Sequence, residues 1–329
     1  MNFSRRQLLK AVVAGAAAPA VINSPAFTQA YPSRVVRTIV PFAAGGQTDV
    51  VARLVAEKLS DRLGKQFYIE NVAGAGGSIG AGRAAQAAPD GYTILFVDGV
   101  AFVTNPVLQK NALYDPIADF DAVAIAATTM QVIAVHPSVP ANNLQELVAL
   151  IKANPGKYSY ASAGVGTGSH LTGELFRTVL DLDLVHVPYG GGGPAIAAAV
   201  AGHTPISVGS AAATIPQHNE GKLRALAVGG KTRLKGLPSV PTLIEAGYKD
   251  VECESVVGVL VPAKTSKEII ALLNHEIAAV VATPEVQERL ITLGFETVNS
   301  TPEELSAFFK ADVVRWANII RTAGIQQLK

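Results

Sequence analysis

Short apolar segments alternate with helix-like segments over most of this 329-residue chain, and this alternation restricts the possible folds more than any other feature. Amphipathic periodicity predicts helices at 48–63, 78–88, 144–153, 169–181 and 193–201. Apolar runs between them predict strands at 35–42, 67–72, 92–97, 158–162, 184–188, 206–209 and 223–228. Two long helices follow, at 266–293 with an interruption near Pro284 and at 302–322. Because strand–helix–strand alternation places helices against parallel strands, the sequence predicts an α/β fold with parallel sheets.

Residues 1–30 have the features of an export signal and not of a folded segment. The twin arginine Arg5-Arg6 precedes a weakly apolar stretch at 11–18, which predicts a twin-arginine signal that is cleaved before Tyr31. A membrane anchor would need roughly 20 apolar residues, and this run is shorter and is interrupted by Pro19. We therefore expect the mature protein in the periplasm.

The charge balance and the cysteine content argue against several classes of protein. The chain has 27 basic and 26 acidic residues without a cluster of Lys and Arg, so we expect no nucleic-acid partner. Cys253 is the only cysteine, so no intramolecular disulfide can form. The six histidines are scattered without the spacing of metal ligands. We expect a monomer of two lobes without a metal or a cofactor.

One pattern, V-P-aromatic-x-x-G-G, occurs twice, at 40–46 and again at 187–193. Each copy follows a predicted strand and opens a predicted helix. Chance is one explanation, because glycine-rich turns between strands and helices are common. The other explanation is that two lobes each direct one such turn into a shared cleft.

Glycine-rich loops precede four of the predicted helices, at 44–48, 74–78, 164–170 and 190–194. Unpaired N–H groups and a partial positive charge make a helix start suitable for an anion. His170 is the one side chain in these loops that can carry positive charge, so backbone N–H groups and hydroxyls would hold the anion. Those hydroxyls are Thr48, Ser78, Thr167 and Ser169. Thr48 and Ser78 can also be interpreted as helix caps, and Asp49 as a residue that stabilises the helix dipole.

Several short motifs follow one another in a fixed order along the chain. They are P-F-A-A-G-G-Q-T-D at 41–49, N-V-A-G-A-G-G-S-I-G at 71–80, A-P-D-G-Y at 88–92, Y-A-S-A-G-V-G-T-G-S-H-L at 160–171, H-V-P-Y-G-G-G-G-P-A at 186–195 and P-S-V-P-T-L-I-E-A-G at 238–247. Together they resemble the tripartite tricarboxylate transporter receptor family, the Bug-type solute receptors. The resemblance extends over nearly the whole of the predicted mature chain.

The resemblance implies a periplasmic binding protein type II-like fold, with two α/β lobes joined by two crossover segments and a ligand cleft between them. With crossings near Met130 and Ser255, lobe 1 would comprise 31–130 and 256–329, and lobe 2 would comprise 131–255. The implied function is a non-enzymatic receptor for a small mono- or dicarboxylate, including amino acids and aromatic acids. Its implied partners are the membrane components of a tripartite tricarboxylate-type transporter.

The predicted ligand-binding residues are Phe42, Ala44, Gly45, Gly46, Thr48, Gly76, Ser78, Gly166, Thr167, Ser169, Tyr189 and Gly192. Gly190 departs from the family pattern, because relatives often have Lys or Arg there, and this argues against a highly charged ligand such as citrate. Gln47 occupies a variable position and is available to hydrogen-bond a neutral part of the ligand.

Two enzymatic alternatives fit the sequence less well. An exported oxidoreductase with a bound cofactor is suggested by the glycines at 74–80, followed by Asp98 at the end of the next predicted strand. However, Ile79 stands where a dinucleotide-binding loop needs its last glycine. A hydrolase fits the sequence even less well. Ser169 and His170 are adjacent at a helix start, so they cannot face each other as nucleophile and base. We therefore predict no catalytic residues.

Overall fold

Strand pairing in the computed structural model builds one mixed sheet from segments that lie far apart in the sequence. The structure describes residues 31–248, 254–322 and 325, so the predicted export signal at 1–30 and Cys253 lie outside the described residues. The chain divides after Ser33, and the sheet and its helices belong to the unit that begins at Arg34.

Within the described residues, the strands follow the order β2-β1-β3-β9-β4-β7-β5-β6, with β8 and β10 also paired to β4. The strands are β1 (Val36–Val40), β2 (Phe67–Asn71), β3 (Thr93–Asp98), β4 (Phe120–Val135), β5 (Ser159–Ser162), β6 (Val185–Pro188), β7 (Ile206–Ser210), β8 (Arg224–Val228), β9 (Glu254–Pro262) and β10 (Phe295–Glu296).

The helices mostly fill the connections between these strands. They are α1 (Gln47–Leu63), α2 (Ser78–Ala85), α3 (Gly99–Leu108), α4 (Leu144–Lys152), α5 (Gly168–Val179), α6 (Gly192–Val200), α7 (Ala211–Asn219), α8 (Lys267–Val281), α9 (Pro284–Thr292) and α10 (Pro302–Thr322). The predicted helices and strands are all present, with ends that differ by a few residues. The break predicted near Pro284 separates α8 from α9, because proline at the first helical position favours a new start.

The centre of the sheet differs from the prediction. Pairs β1–β2, β1–β3, β5–β6 and β5–β7 are parallel as expected. In contrast, β9 lies antiparallel between β3 and β4, and β4 is antiparallel to β7 and β8. The prediction of parallel sheets therefore holds for the outer pairs and is wrong for the pairs made by β4 and β9. The reason is that β4 and β9 were not recognised as strands.

A change of partner occurs in the middle of β4, which is 16 residues long. Residues from Phe120 to Met130 pair with β9, and pairing with β7 begins at the next residue, Gln131. One continuous strand thus belongs to two parts of the sheet. The division into lobes at 130/131 and 255/256 stays a prediction.

The two largest clusters of buried side chains pack on the two parts of the sheet. One surrounds Phe102 of α3, whose ring centroid lies 5.1 Å from that of Phe309 of α10. The other includes Tyr160 of β5 and Phe176 of α5, both almost fully buried. Each such side chain stabilises the fold by about 1.5–3 kcal/mol. This packing fixes the starts of α3 and α5 relative to the strands before them.

Within the described residues, no single helix is both long and apolar enough to cross a membrane. The consecutive helices α8 and α9, bent by 72° relative to each other, meet the length and composition criteria only as a pair.

Candidate ligand-binding site

The starts of α1, α3, α5, α6 and α7 meet around one pocket at the carboxyl ends of their preceding strands. The pocket contains about 480 Å³ of empty space, part of it open to solvent. The lining consists of Phe42, Gly46, Gln47, Thr48, Asp98, Gln131, Ala163, Thr167, Ser169, Gly192, Ala195, Ile196, Ser207, Val208, Gly209, Ser210 and Ala213.

The helix starts at this pocket differ in how their backbone N–H groups are satisfied. Asp98, Thr167 and Ser210 cap α3, α5 and α7 by accepting a hydrogen bond from a first-turn N–H group. In contrast, α1 and α6 begin after glycines, Gly46 and Gly191, and no side chain caps them. Because uncapped N–H groups and the helix dipole favour an anion, these two starts are the best-suited anion-binding elements of the pocket. Both belong to the repeated V-P-aromatic-x-x-G-G pattern.

The two repeated loops also contact each other directly. The backbone N–H of Ala43 donates to the carbonyl oxygen of Gly190 over 3.1 Å. A Cβ atom on Gly193 would lie only 2.4 Å from the carbonyl oxygen of Ala44. Glycine is thus required here for the approach of one backbone to another. Ala44, although predicted as a ligand contact, faces this loop junction and does not line the pocket.

Asp49 organises the first loop without lining the pocket. Its carboxylate accepts hydrogen bonds from Gly45 N–H (3.0 Å), Asn71 Nδ2 (2.8 Å) and Arg53 Nε (2.9 Å). Burial alone would raise the pKa of Asp49, but these hydrogen bonds outweigh it and hold the pKa below its usual value. Gly45, whose N–H is used in this way, does not line the pocket.

Hydroxyl groups order the loop that precedes α5. Thr167 Oγ1 donates to Gly164 O over 2.6 Å and lies 2.9 Å from Ser169 Oγ. Gly166 is held by its N–H, which donates to Nδ1 of His170 over 3.1 Å, and it does not line the pocket. Burial lowers the pKa of His170 to about 4. His170, the one residue of these loops that could carry positive charge, is therefore neutral near pH 7. Its Nδ1 supports the loop by accepting the hydrogen bond from Gly166.

Four polar side-chain atoms in the pocket wall are buried without a hydrogen-bond partner. They are Gln47 Oε1, Thr48 Oγ1, Gln131 Oε1 and Ser207 Oγ. Such atoms are uncommon in native interiors, because each costs about 1–3 kcal/mol when unpaired. Thr48 is therefore not a capping residue, which was the alternative interpretation. The pocket wall offers these four atoms to a ligand.

Of the predicted residues, the lining includes Phe42, Gly46, Thr48, Thr167, Ser169 and Gly192. The remaining ones have other partners. Gly76 belongs to a smaller neighbouring pocket, and its carbonyl accepts a hydrogen bond from Asn105 Nδ2 over 2.7 Å. Ser78 Oγ accepts from a glutamine side chain over 2.6 Å and is not a cap, since Gly77 occupies that position. The hydroxyl of Tyr189 lies 2.8 Å from Thr204 Oγ1.

Sequence reasoning missed the part of the wall that comes from the end of β3, the middle of β4 and the beginning of β7. Asp98, Gln131 and Ser207 are buried there and line the pocket. The sequence contained one signal for this part of the wall, namely the carboxylate of Asp98 at the end of a predicted strand. Gln131 and Ser207 carry no such signal, because pairing between distant strands brings them to the pocket. No Lys, Arg or His of the described chain is part of the lining.

A comparison with known protein families agrees with this architecture. The family described as "Tripartite tricarboxylate transporter family receptor" matches residues 51–325. The chain belongs to this family. One relative is a protein from the tcbD–tcbE intergenic region of Pseudomonas sp. strain P51, which is 35% identical over 323 residues. The match covers 97% of the present chain and 94% of that protein. BugT of Bordetella pertussis is 33% identical over 325 residues, covering 98% and 99% of the two chains. The receptor is of the Bug type.

Solved structures of similar sequence share the fold. The periplasmic binding protein BugD matches with a TM-score of 0.88 at 37% identity, over 91% of this receptor and 100% of that chain. Rpa4515 of R. palustris, solved with adipate, has a TM-score of 0.88 at 32% identity, with the same coverage of 91% and 100%. MatC of Rhodopseudomonas palustris, solved with malate, has a TM-score of 0.85 at 30% identity, with coverage of 88% and 100%. Family and fold are thus those of solute-binding receptors and not of enzymes.

Proposed function

We propose that this protein is a periplasmic receptor that binds a small carboxylate between two lobes and delivers it to a tripartite tricarboxylate-type transporter. The observation that carries the proposal is the pair of uncapped helix starts, α1 and α6, at one pocket. Their N–H groups are suited to an anion, and the lining among the described residues has no basic side chain that would favour a highly charged one. In this proposal the segment around Arg5-Arg6 serves as the export signal.

Relatives support the class of ligand. The two R. palustris proteins with this fold were solved with adipate and with malate, which are both small dicarboxylates. In the present chain, the carboxylate would bind at the starts of α1 and α6, beside Gly46 and Gly192, with hydrogen bonds from the hydroxyls of Thr48 and Ser207. The apolar side chains of Phe42, Ala195, Ile196 and Val208 would contact its carbon chain.

The expected affinity is moderate. Hydrogen bonds to a charged group contribute roughly 1.5–3 kcal/mol each, and four or five of them are available from these loops. After the cost of association, about −8 kcal/mol would remain, which corresponds to a dissociation constant near the micromolar range.

A thermal-shift screen of about a hundred carboxylates against the chain from residue 31 onward tests the proposal. A ligand at 100 times its dissociation constant stabilises the protein by about 2.7 kcal/mol, so a true ligand should raise the melting temperature by several degrees. The methyl ester of each hit is the matched control, because it keeps the carbon chain and lacks the charge. Stabilisation by uncharged solutes or metal ions alone, confirmed by calorimetry, would contradict the proposal.

A further inference from the structure

Asp98 is a buried carboxylate in the wall of the pocket. Asp98 is only 5% exposed to solvent, and it lines the pocket. Oδ1 accepts hydrogen bonds from Ala101 N–H and from Ser255 Oγ, each over 3.1 Å, and Oδ2 accepts one from Gln47 Nε2. These donors favour the ionised form of the side chain. All of them are neutral, and no Lys, Arg or His of the described residues forms an ion pair with Asp98.

A buried negative charge without a cationic partner is unfavourable, since burial penalises an ion far more than a neutral group. Burial also raises the pKa of Asp98 against the opposing effect of its hydrogen bonds. The other buried aspartates in the described parts of the chain have such a partner, Arg53 for Asp49 and Arg315 for Asp312. Asp98 differs from them in that it faces the pocket.

Two unpaired acceptors line the same pocket. Gln47 donates through Nε2 to Asp98, and this bond fixes the amide orientation, because the reversed amide would place its oxygen against the carboxylate. Gln47 Oε1 is consequently an acceptor without a donor, and Gln131 Oε1 is a second one. Gln47 is 9% exposed and Gln131 is 2% exposed. Both acceptors need N–H or O–H groups, which a simple dicarboxylate does not have when ionised.

We infer that the ligand carries an ammonium group as well as a carboxylate, and that the ammonium donates to Gln47 and Gln131 while Asp98 supplies its counter-charge. This inference rests on the proposed function, which places the carboxylate at α1 and α6. A hydroxyl group would satisfy the acceptors but would leave the charge of Asp98 uncompensated. An ammonium has three N–H donors and a positive charge, so it satisfies both requirements.

Calorimetry with matched acids tests the inference on the unmodified chain. The ligands form two series on constant carbon skeletons: pentanoate with 2-aminopentanoate and 5-aminopentanoate, and glutarate with glutamate and 2-hydroxyglutarate. We expect at least one amino acid to bind ten times or more tightly than its unsubstituted counterpart, and glutamate to bind more tightly than 2-hydroxyglutarate if the glutarate series is the one that binds. Tighter or equal binding of the plain acids would overturn this inference and leave the proposed function standing. If no acid of either series binds and no carboxylate in the thermal-shift screen stabilises the protein, both this inference and the proposed function are wrong.

The variant Asp98→Asn separates the charge of this side chain from its shape. Asparagine keeps an acceptor for Ala101 N–H, so α3 keeps its cap. We expect the preference for the amino acid over the plain acid to fall at least tenfold, mainly through weaker binding of the amino acid. Asp312→Asn is the matched control, because it neutralises a buried aspartate of α10 that is not part of the lining. An unchanged preference in Asp98→Asn would contradict the assignment, and if that variant fails to fold, Gln131→Met should show the same loss of preference.

Discussion

His170 lies in the first turn of α5, where its ring stacks on that of His186 with centroids 4.4 Å apart. Burial lowers the pKa of His170 to about 4, and burial together with the charge of His170 lowers the pKa of His186 to about 3. Glu174 and Arg177 are the charged groups nearby, and they act on His170 in opposite directions. Both histidines are therefore neutral near pH 7, and they support the loop that carries Thr167 and Ser169.

This pair predicts a loss of stability in mild acid. An unfolded chain binds a proton at each histidine below about pH 6.5, whereas the folded protein does not until the pH approaches 4 or 3. The free energy of unfolding should therefore fall as the pH decreases through this window. His170 alone should account for about 2 kcal/mol between pH 7 and pH 5. Urea unfolding at several pH values measures the effect.

The variant His170→Asn gives the matching comparison. Asparagine cannot titrate, and its side-chain oxygen is placed to accept the hydrogen bond from Gly166 N–H in place of Nδ1. We expect this variant to lose less stability than the parent between pH 7 and pH 5, whereas His275→Asn, at an exposed position of α8, should behave like the parent. Equal pH slopes in all three proteins would show that His170 is not the responsible group.

Among the elements, the loops before α1 and α6 contact each other, and we expect this junction to contribute to ligand binding. Alanine at Gly193 would place Cβ 2.4 Å from the backbone oxygen of Ala44, and a backbone atom cannot move aside as a flexible side chain can. The variant Gly193→Ala should hold the two loops apart and weaken binding of the best carboxylate at least tenfold in calorimetry. Gly193 does not line the pocket, so the effect would not come from a lost ligand contact.

Gly190→Ala is the control for this experiment, because a Cβ atom there meets nothing within 4 Å. We expect its affinity to match that of the parent. Gly45 is less suitable, since its φ of +85° would strain any other residue regardless of binding. Similar affinities for Gly193→Ala and the parent would mean that the loop junction does not contribute to binding.

The sequence predicted the amphipathic helices and the short apolar strands, including the fully buried β3. Their apolar residues recur at helical spacing or form short runs bounded by turns. In contrast, α3 is almost entirely apolar and buried, so it has no amphipathic period to detect. β4 is buried along most of its length, and its pattern does not alternate. β9 likewise lies between two strands and is buried from Ser255 onward.

The same distinction applies to the candidate site. The glycine-rich turns at 44–48 and 190–194 were identified from sequence, because glycine followed by a helix has a local meaning. Gln131 and Ser207 are unremarkable residues of strands, and their position at the pocket depends on the pairing of β4 with β7. Such pairings between distant segments are decided by the packing of the whole chain. No local pattern could have indicated them.

For the whole molecule, the change of partner at Met130–Gln131 predicts a bending motion. Residues before this point pair with β9 and residues after it pair with β7, and β9 begins at Glu254, close to the second expected crossing. Two such connections allow bending but restrict free rotation. We expect small-angle scattering to show a smaller radius of gyration when a verified ligand is bound, because the ligand favours the form in which both loops contact it.

The Gly193→Ala variant makes this measurement more specific. If closure depends on the loop junction, its radius of gyration should exceed that of the parent at the same ligand saturation. If the radius is the same with and without ligand, in both the parent and the variant, either the site lies within one lobe or the ligand-free protein is already closed. A crystal structure of the ligand-free protein would separate these two outcomes, and the first would overturn the shared-cleft interpretation.

The position of β9 between β3 and β4 also bears on how the chain is made. β3 and β4 are synthesised early, but the strand that joins them begins only at Glu254. At a translation rate of about 5–20 residues per second, the apolar edges of both strands wait several seconds or longer for their common partner. During that time they are open to wrong pairing with other chains. The central sheet can therefore be completed only after β9 has been synthesised, when most of the chain has emerged.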